Sequence, residues 1–392
     1  MTGVSLRGLT VLSLEQATTL PYLTYRLACD GARVIRIENP QHPDPNRFVG
    51  RQVLDEDGMR GYFLPNNCGK EAITLNLGLP EGRRILRALL TALRVDVFAC
   101  NQRPRSYARL GIDYESLRAV KPDLIWVGVS GFGPEHDEAA YDPILQARAG
   151  FMELTGAADG PPTVFGLPMV DLGAGEHGYS EIMKALYLRA LGGEGRRVDL
   201  SMFRSAVSWM LTPLMLTGSL KEPVGRRGNT HQFFAPVSVY ATRDGYVYMA
   251  VGNDRQWAAF SALPAFAGLA RPQYAANAGR IADVAALNRA LGERFAGLET
   301  AEAIALLQAA GIPASRVSTI TELLADPLVA PGLVRVTDPR SGLTVLLPPP
   351  PAGGPPPLTF PPRLGEHNAR VYGEALAYGP GQVQALADAG VI

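Results

Sequence analysis

Residues 9–40 read "LTVLSLEQATTLPYLTYRLACDGARVIRIENP". "LTVLSLE" is an apolar run rich in β-formers, and in "YLTYRLACDGA" Leu23, Leu27 and Ala28 recur at helical spacing before Gly31 stops the turn. "RVIRIENP" is a second strand, ended by Pro40. Further on, "PEGRRILRALLTAL" carries Pro80 near its start and sets Ile85, Leu86, Leu89, Leu90 and Leu93 on one face of a helix. "VDVFAC" and "DLIWVGVSGF" are strands of the buried kind. Strand and helix in alternation predict an α/β fold, a parallel sheet with helices on both sides. Ligands of such sheets lie past the carboxyl ends of the strands. Those ends are Glu38-Asn39, Asn101-Gln102-Arg103 and Ser130-Gly131. The polar stretch 41–68 is too long for a simple connection, and loops of that size are often functional or insertions.

A chain of 392 residues exceeds what one hydrophobic core usually serves, so two domains are expected. The large domain covers 1–205 and a linker 206–224. A smaller α+β domain follows at 225–315, where "VSVYATRDGYVYMAV" alternates around Asp244-Gly245 as a hairpin. The Pro-rich segment within 316–375 is stiff and extended, a return linker, and 376–392 is a final helix returning to the large domain. "SAVSWMLTPLMLTGSL" contains Pro213 and is short for a membrane span, so it is expected to be buried or to face another subunit. Lys+Arg and Asp+Glu are equal at 37 each, which gives no basic excess for nucleic acid or an anionic membrane. Three scattered cysteines form neither a disulfide framework nor a zinc motif and fit a reducing cytoplasm. The amino-terminal residues lack the pattern of a signal peptide.

"VDLGAGEHGYS" (170–180) places Gly173, Gly175 and Gly178 in a G-x-G-x-x-G spacing behind Asp171. A dinucleotide fingerprint needs a preceding strand, and "TVFGLPMV" is broken by Gly166 and Pro168. Asp171 itself reads either as a helix N-cap or as a reactive carboxylate. His177 lacks a second histidine at helical spacing, and His42, His136, His231 and His367 form no ligand pattern, so no metal is expected. Lys70, Arg103, Arg105 and Arg109 lie near the strand ends, where arginine forks would suit phosphate oxygens.

At these residues the chain resembles the class III CoA-transferase family. "LACDGARVIRIENP", "NNCGKEAITLNL", "NQRPRSYARLGIDYESL", "SGFG", "YDPILQARAGFMELTG", "VDLGAG", "TRDGYVYMAVGNDRQW", "AGIPASRV" and "PPRLGEHN" follow one another in the family's order and spacing. The resemblance implies a Rossmann-like large domain built from both chain ends, and a ring-shaped monomer that forms an interlocked dimer. It implies that Asp171 is the nucleophile, attacking a thioester carbonyl and passing through an aspartyl anhydride and an aspartyl-CoA thioester. A carboxylate is ionised near pH 7 without tuning, and glycines after it would leave room for close approach. Positions matching the family's CoA contacts are Thr18, Asn39, Lys70, Asn101, Gln102 and Arg109; Tyr141 matches a substrate-side tyrosine. The resemblance further implies coenzyme A as a co-substrate with no tightly bound cofactor, and an acyl-CoA and a carboxylic acid as partners, succinyl-CoA being one candidate donor.

The chain also departs from the pattern. Glu71 stands for an arginine, Gln102 for an aromatic and Arg105 for a glycine, while Ala139 occupies a position that can hold a lysine. The departures at Glu71 and Gln102 leave open a subunit of a two-chain transferase, non-catalytic or half-catalytic. An α-methylacyl-CoA racemase is the other alternative; such enzymes carry His-Asp where this chain has Tyr141-Asp142.

Overall fold

The computed structural model describes residues 5–392. The first of two compact bodies comprises residues up to Ala149, Gly166–Thr212 and Pro327–Ile392. Its strands are β1 (Thr10–Leu14), β2 (Arg33–Glu38), β3 (Lys70–Thr74), β4 (Val97–Cys100), β5 (Ile125–Ser130) and β6 (Arg196–Ser201), ordered β3-β2-β1-β4-β5-β6. Every neighbouring pair is parallel. The strand order reverses between β1 and β4, so their carboxyl ends flank the crevice where open α/β sheets bind ligands. The helices up to the end of the sheet are α1 (Thr19–Cys29), α2 (Pro80–Ala92), α3 (Tyr107–Leu110), α4 (Tyr114–Arg118), α5 (Asp142–Arg148), α6 (Phe151–Leu154, in the second body), α7 (Met169–Gly192) and α8 (Met202–Ser208).

One core joins the sheet to α2, whose Ile85, Leu86, Leu89 and Leu90 are wholly buried against Ile35, Phe98 and Trp126. Val371, Tyr372, Val391 and Ile392 complete that core from the chain's last helical segments, Asn368–Leu376 and Pro380–Asp388 and their end. The helices α1 and α7 pack together, α1 burying Leu20, Leu23 and Leu27 and α7 burying Val170, Ala174, Ile182 and Ala185. A fully buried side chain of this type is worth roughly 1.5–3 kcal/mol.

The segment 41–68 is a packed element of the first body. Leu54, Met59, Phe63, Leu64 and Cys68 form a separate core with Val334, Val336, Leu347 and Phe360. The return segment is likewise more than a bare linker, because Val334–Thr337 and Thr344–Leu347 pair as an antiparallel hairpin over that core.

The second body comprises Gly150–Phe165 and Pro213–Asp326, so Gly150–Phe165 departs from the large domain expected over 1–205. It holds an antiparallel sheet, Val237–Thr242 beside Gly245–Ala250 beside Ala314–Arg316. Phe260, Phe266, Leu287, Leu291, Phe295 and Leu307 form its buried core. The stretch "SAVSWMLTPLMLTGSL" is not one helix and is buried only in part: α8 ends at Ser208, separate turns follow at Leu211–Leu214 and Met215–Ser219, and Ala206 and Leu216 are buried while Leu211 is 77% exposed. No helix among the described residues is long and apolar enough to cross a membrane.

Candidate active site

The loop from β1 to α1 is fixed from two sides. The backbone N–H of Gln16 donates to Asn101 Oδ1 (3.1 Å), and Asn101 Nδ2 donates to the Gln16 carbonyl (2.7 Å). Ala17 has a left-handed backbone, φ 64°, which a residue with a Cβ adopts only when its surroundings impose it. Asp44 Oδ1 accepts from Ala17 N–H (3.0 Å), and Asn46 Nδ2 donates to the Ala17 carbonyl (2.7 Å). The long polar stretch thus clamps the loop at the sheet's crevice. Its own anchor is a buried ion network: Arg36 pairs with Asp44 (3.0 Å) and Arg47 with Glu38 (2.6 Å).

Asp171 lies in the first turn of α7, where Pro168 at the N-cap offers no side-chain acceptor. The missing cap comes from α5. Asp142 Oδ2 accepts from the N–H groups of Val170 (2.7 Å) and Asp171 (3.0 Å), and Gln146 Nε2 donates to its other oxygen. Buried Asp142 therefore takes the capping role that Asp171 had been a candidate for, and the Asp171 carboxylate is left for other work. Thr19, the first residue of α1, donates its hydroxyl to Asp171 Oδ1 (2.5 Å). Oδ2 accepts no hydrogen bond among the described residues. The carboxyl is not untuned: burial pushes it up to about 6, the Thr19 hydrogen bond opposes that rise, and the Asp142 charge adds to it. A carboxyl titrating there is still mostly anionic at pH 7, near a helix amino end that favours negative charge. One oxygen held and one bare is an arrangement suited to nucleophilic attack.

The three glycines have a different task from the one expected. A Cβ on Gly173 would lie 2.0 Å from Trp209 Cη2, one on Gly175 2.6 Å from Tyr22 Cδ1, and one on Gly178 2.3 Å from Leu23 Cδ1. All three sit within α7, so their spacing permits close packing against α1 and Trp209.

The remaining sequence candidates divide between the segments that follow the strands, where Thr18 is buried, and the start of a strand. Thr18 follows β1, with its hydroxyl 3.4 Å from Tyr62 Oη. Asn39 follows β2 and turns the chain, its Oδ1 accepting from the N–H groups of Gln41 and His42. Asn101 and half-buried Gln102 follow β4, and Arg103, Arg105 and Arg109 are exposed beyond them. Tyr141 is 71% exposed, next to Asp142. Lys70 is elsewhere: it starts β3 and its ammonium is wholly buried, donating to Glu15 Oε1 (2.7 Å) and the Pro21 carbonyl (2.8 Å). Burial pushes that ammonium down to about 8, and Glu15 holds it charged at neutral pH. It braces the loop from within and is not a free cation at the crevice. Glu71 is also structural, pairing with Arg33 (3.0 Å) and Arg370 (3.1 Å). Sequence reading missed Thr19 and the capping role of Asp142. Asp142 followed by Pro143 at a helix start was the available signal.

The model of "CoA-transferase family III" matches residues 6–368. Succinate–glutarate CoA-transferase of Agrobacterium fabrum is 31% identical over 382 residues, 94% of this chain and 95% of that protein. Acetyl-CoA:oxalate CoA-transferase of Acetobacter aceti is 35% identical over 328 residues, covering 82% and 83% of the two chains. A solved CAIB/BAIF family protein from Brucella suis superposes with a TM-score of 0.85 at 31% identity, over 95% of this chain and 100% of that one. Its fold, the match of nearly its full length and the identity to these relatives agree: the chain belongs to CoA-transferase family III and is an enzyme that transfers CoA between carboxylates.

Proposed function

We propose that Asp171 is the covalent nucleophile of this transferase and that the exchange runs between dicarboxylates, with succinyl-CoA as donor. The observation that carries the first part is the Asp142 cap, which leaves the Asp171 carboxylate free at the start of α7. The second part rests on relatives that exchange CoA between succinate and glutarate or onto oxalate. Asp171 Oδ2 attacks the thioester carbonyl, the C–S bond breaks, and CoA leaves as thiolate with a mixed anhydride behind it. The thiolate attacks Asp171 Cγ and the donor acid departs as carboxylate, giving the aspartyl-CoA thioester. The acceptor carboxylate displaces the thiolate from Cγ, and the thiolate takes the acyl group from this second anhydride. The new acyl-CoA leaves and Asp171 is restored without net proton change.

The CoA contacts in this reading are Thr18, Asn39, Asn101, Gln102 and Arg109, which stand at or just beyond the carboxyl ends of β1, β2 and β4. The exposed Arg103, Arg105 and Arg109 supply the forks for its phosphates. Tyr141 lies on the acyl side. A homodimer completes the reading, supported by the apolar surface of α7, where Tyr187 and Leu191 are 66% and 69% exposed. Glu71 weakens the half-catalytic alternative, since its substitution builds ion pairs on β3.

The test is CoA transfer from succinyl-CoA to a panel of dicarboxylates, read by mass spectrometry, for the wild-type chain and Asp171→Ala. Transfer by the wild type and none by the variant supports the reading. Transfer by the variant removes Asp171 from it, and transfer only to monocarboxylates removes the substrate class.

A further inference from the structure

Thr19 meets Asp171 in a way that bears on more than one step. Its hydroxyl donates to Oδ1 at 2.5 Å, and the residue is 4% exposed. It is not serving α1, because neither it nor Thr18 makes a side-chain cap. Its backbone is fixed by the loop that Asp44, Asn46 and Asn101 clamp. The Met202 sulfur at 3.6 Å is its other neighbour of hydrogen-bonding kind, a weak one. The charge that acts on Asp171 is that of Asp142; Glu176, further along α7, is taken up by Tyr22 and Arg26.

We propose that Thr19 is a catalytic hydrogen-bond donor of this site: it selects Oδ2 as the attacking oxygen of Asp171 and then stabilises the oxyanion on Oδ1 when the thiolate adds to Asp171 Cγ. This rests on Asp171 being the nucleophile. With Oδ1 held by the hydroxyl, the acyl group is received on Oδ2, and Oδ1 becomes the carbonyl oxygen of the anhydride. Addition of thiolate to Cγ moves the C=O electron pair onto Oδ1, where the hydroxyl already points. Collapse of that adduct expels the donor acid through Oδ2 and restores the carbonyl. A donor aimed at the atom where charge develops assists the step more than the ground state.

The experiment compares Thr19→Val, which keeps the shape, and Thr19→Ser, which keeps the hydroxyl, with the wild type and Asp171→Ala, using succinyl-CoA and the acceptor it serves best. The expected result is a kcat lower by about 10²-fold in Thr19→Val with KM for succinyl-CoA changed little. The acid limb of its pH profile moves upward, because a bond that favours the anion is gone. Thr19→Ser returns both within a few-fold. Intact-mass measurement during turnover should show Thr19→Val accumulating the succinylated protein, the species ahead of the impaired step, at the expense of the CoA adduct. A Thr19→Val enzyme with wild-type kcat and acid limb overturns the proposal, as does a Thr19→Ser enzyme as defective as Thr19→Val. If Thr19→Val does not fold, Thr19→Ser and Thr19→Ala decide by the same readouts, the hydroxyl-free variant alone being expected to lose the donor. Activity in Asp171→Ala overturns the underlying reading instead, so the two failures are distinct.

Discussion

Asp171 is asked to be charged in a place that resists charge. Its carboxyl is raised from the ordinary 3.8 to about 6, chiefly by burial. The folded state therefore holds its proton more tightly than the unfolded chain. The resulting penalty on stability is full above pH 6, shrinks as the pH falls between 6 and 3.8, and is gone below that. Asp171→Asn should accordingly raise the melting temperature by roughly 2–4 °C at pH 8, with the gain fading by pH 4; a thermal series across pH checks it. For the wild type, kcat should fall as the pH drops through about 6. Asp142→Asn should shift that limb to lower pH, because the neighbouring negative charge that raises the Asp171 carboxyl is lost; a pH–rate profile of both enzymes shows whether it does. None of this was visible locally in "VDLGAG", since the cap arrives from Asp142 and the hydroxyl from Thr19, both distant in the chain.

The elements show why part of the site was legible and part was not. Apolar patterning specifies β1, α1, β2, α2, β4 and β5: the helices bury a face that recurs with the helical period, and the strands of a parallel sheet covered on both sides are short runs buried along almost their whole length. A motif such as G-x-G-x-x-G carries no such period of its own, and its meaning depends on what packs against it. In α7 it is a helix face that α1 and Trp209 approach. Gly178→Ala is the clean test, since the new methyl meets Leu23 and Leu200, both buried. We expect a loss of about 1–3 kcal/mol in stability, measured by denaturant unfolding. Nucleotide binding, by contrast, should show no dependence on this glycine. The segment 41–68 was unreadable for a related reason. Its length marked it as more than a simple connection, but did not show that Asp44, Asn46 and Arg47 are buried, each finding a partner on β2 or on the loop after β1.

At the scale of the whole molecule, the first body is closed by sequence-distant pieces. Tyr372 Oη donates to the Thr74 carbonyl (2.6 Å), and Asn76 N–H donates to the Val391 carbonyl (2.7 Å). Val391 and Ile392 sit in the same core as α2. Removing residues 379–392 should therefore destabilise the sheet and not merely shorten the chain, giving an insoluble protein or one melting at least about 10 °C lower. Circular dichroism of the purified truncation decides between that and an inert tail. A final helix returning to the first body could be anticipated; that the helix before it, Asn368–Leu376, would seat against β3 and α2 could not, because nothing in a single sequence pairs Thr74 with Tyr372.

The central claim is that the bare oxygen of Asp171 becomes covalently bonded during turnover. Rapid quenching of the full-length protein with succinyl-CoA, followed by peptide mass mapping, tests it most directly. The account predicts a succinyl or CoA adduct on the peptide containing Asp171, absent from Asp171→Asn. Turnover with that peptide unmodified at every quench time, or an adduct mapped to another residue, contradicts it.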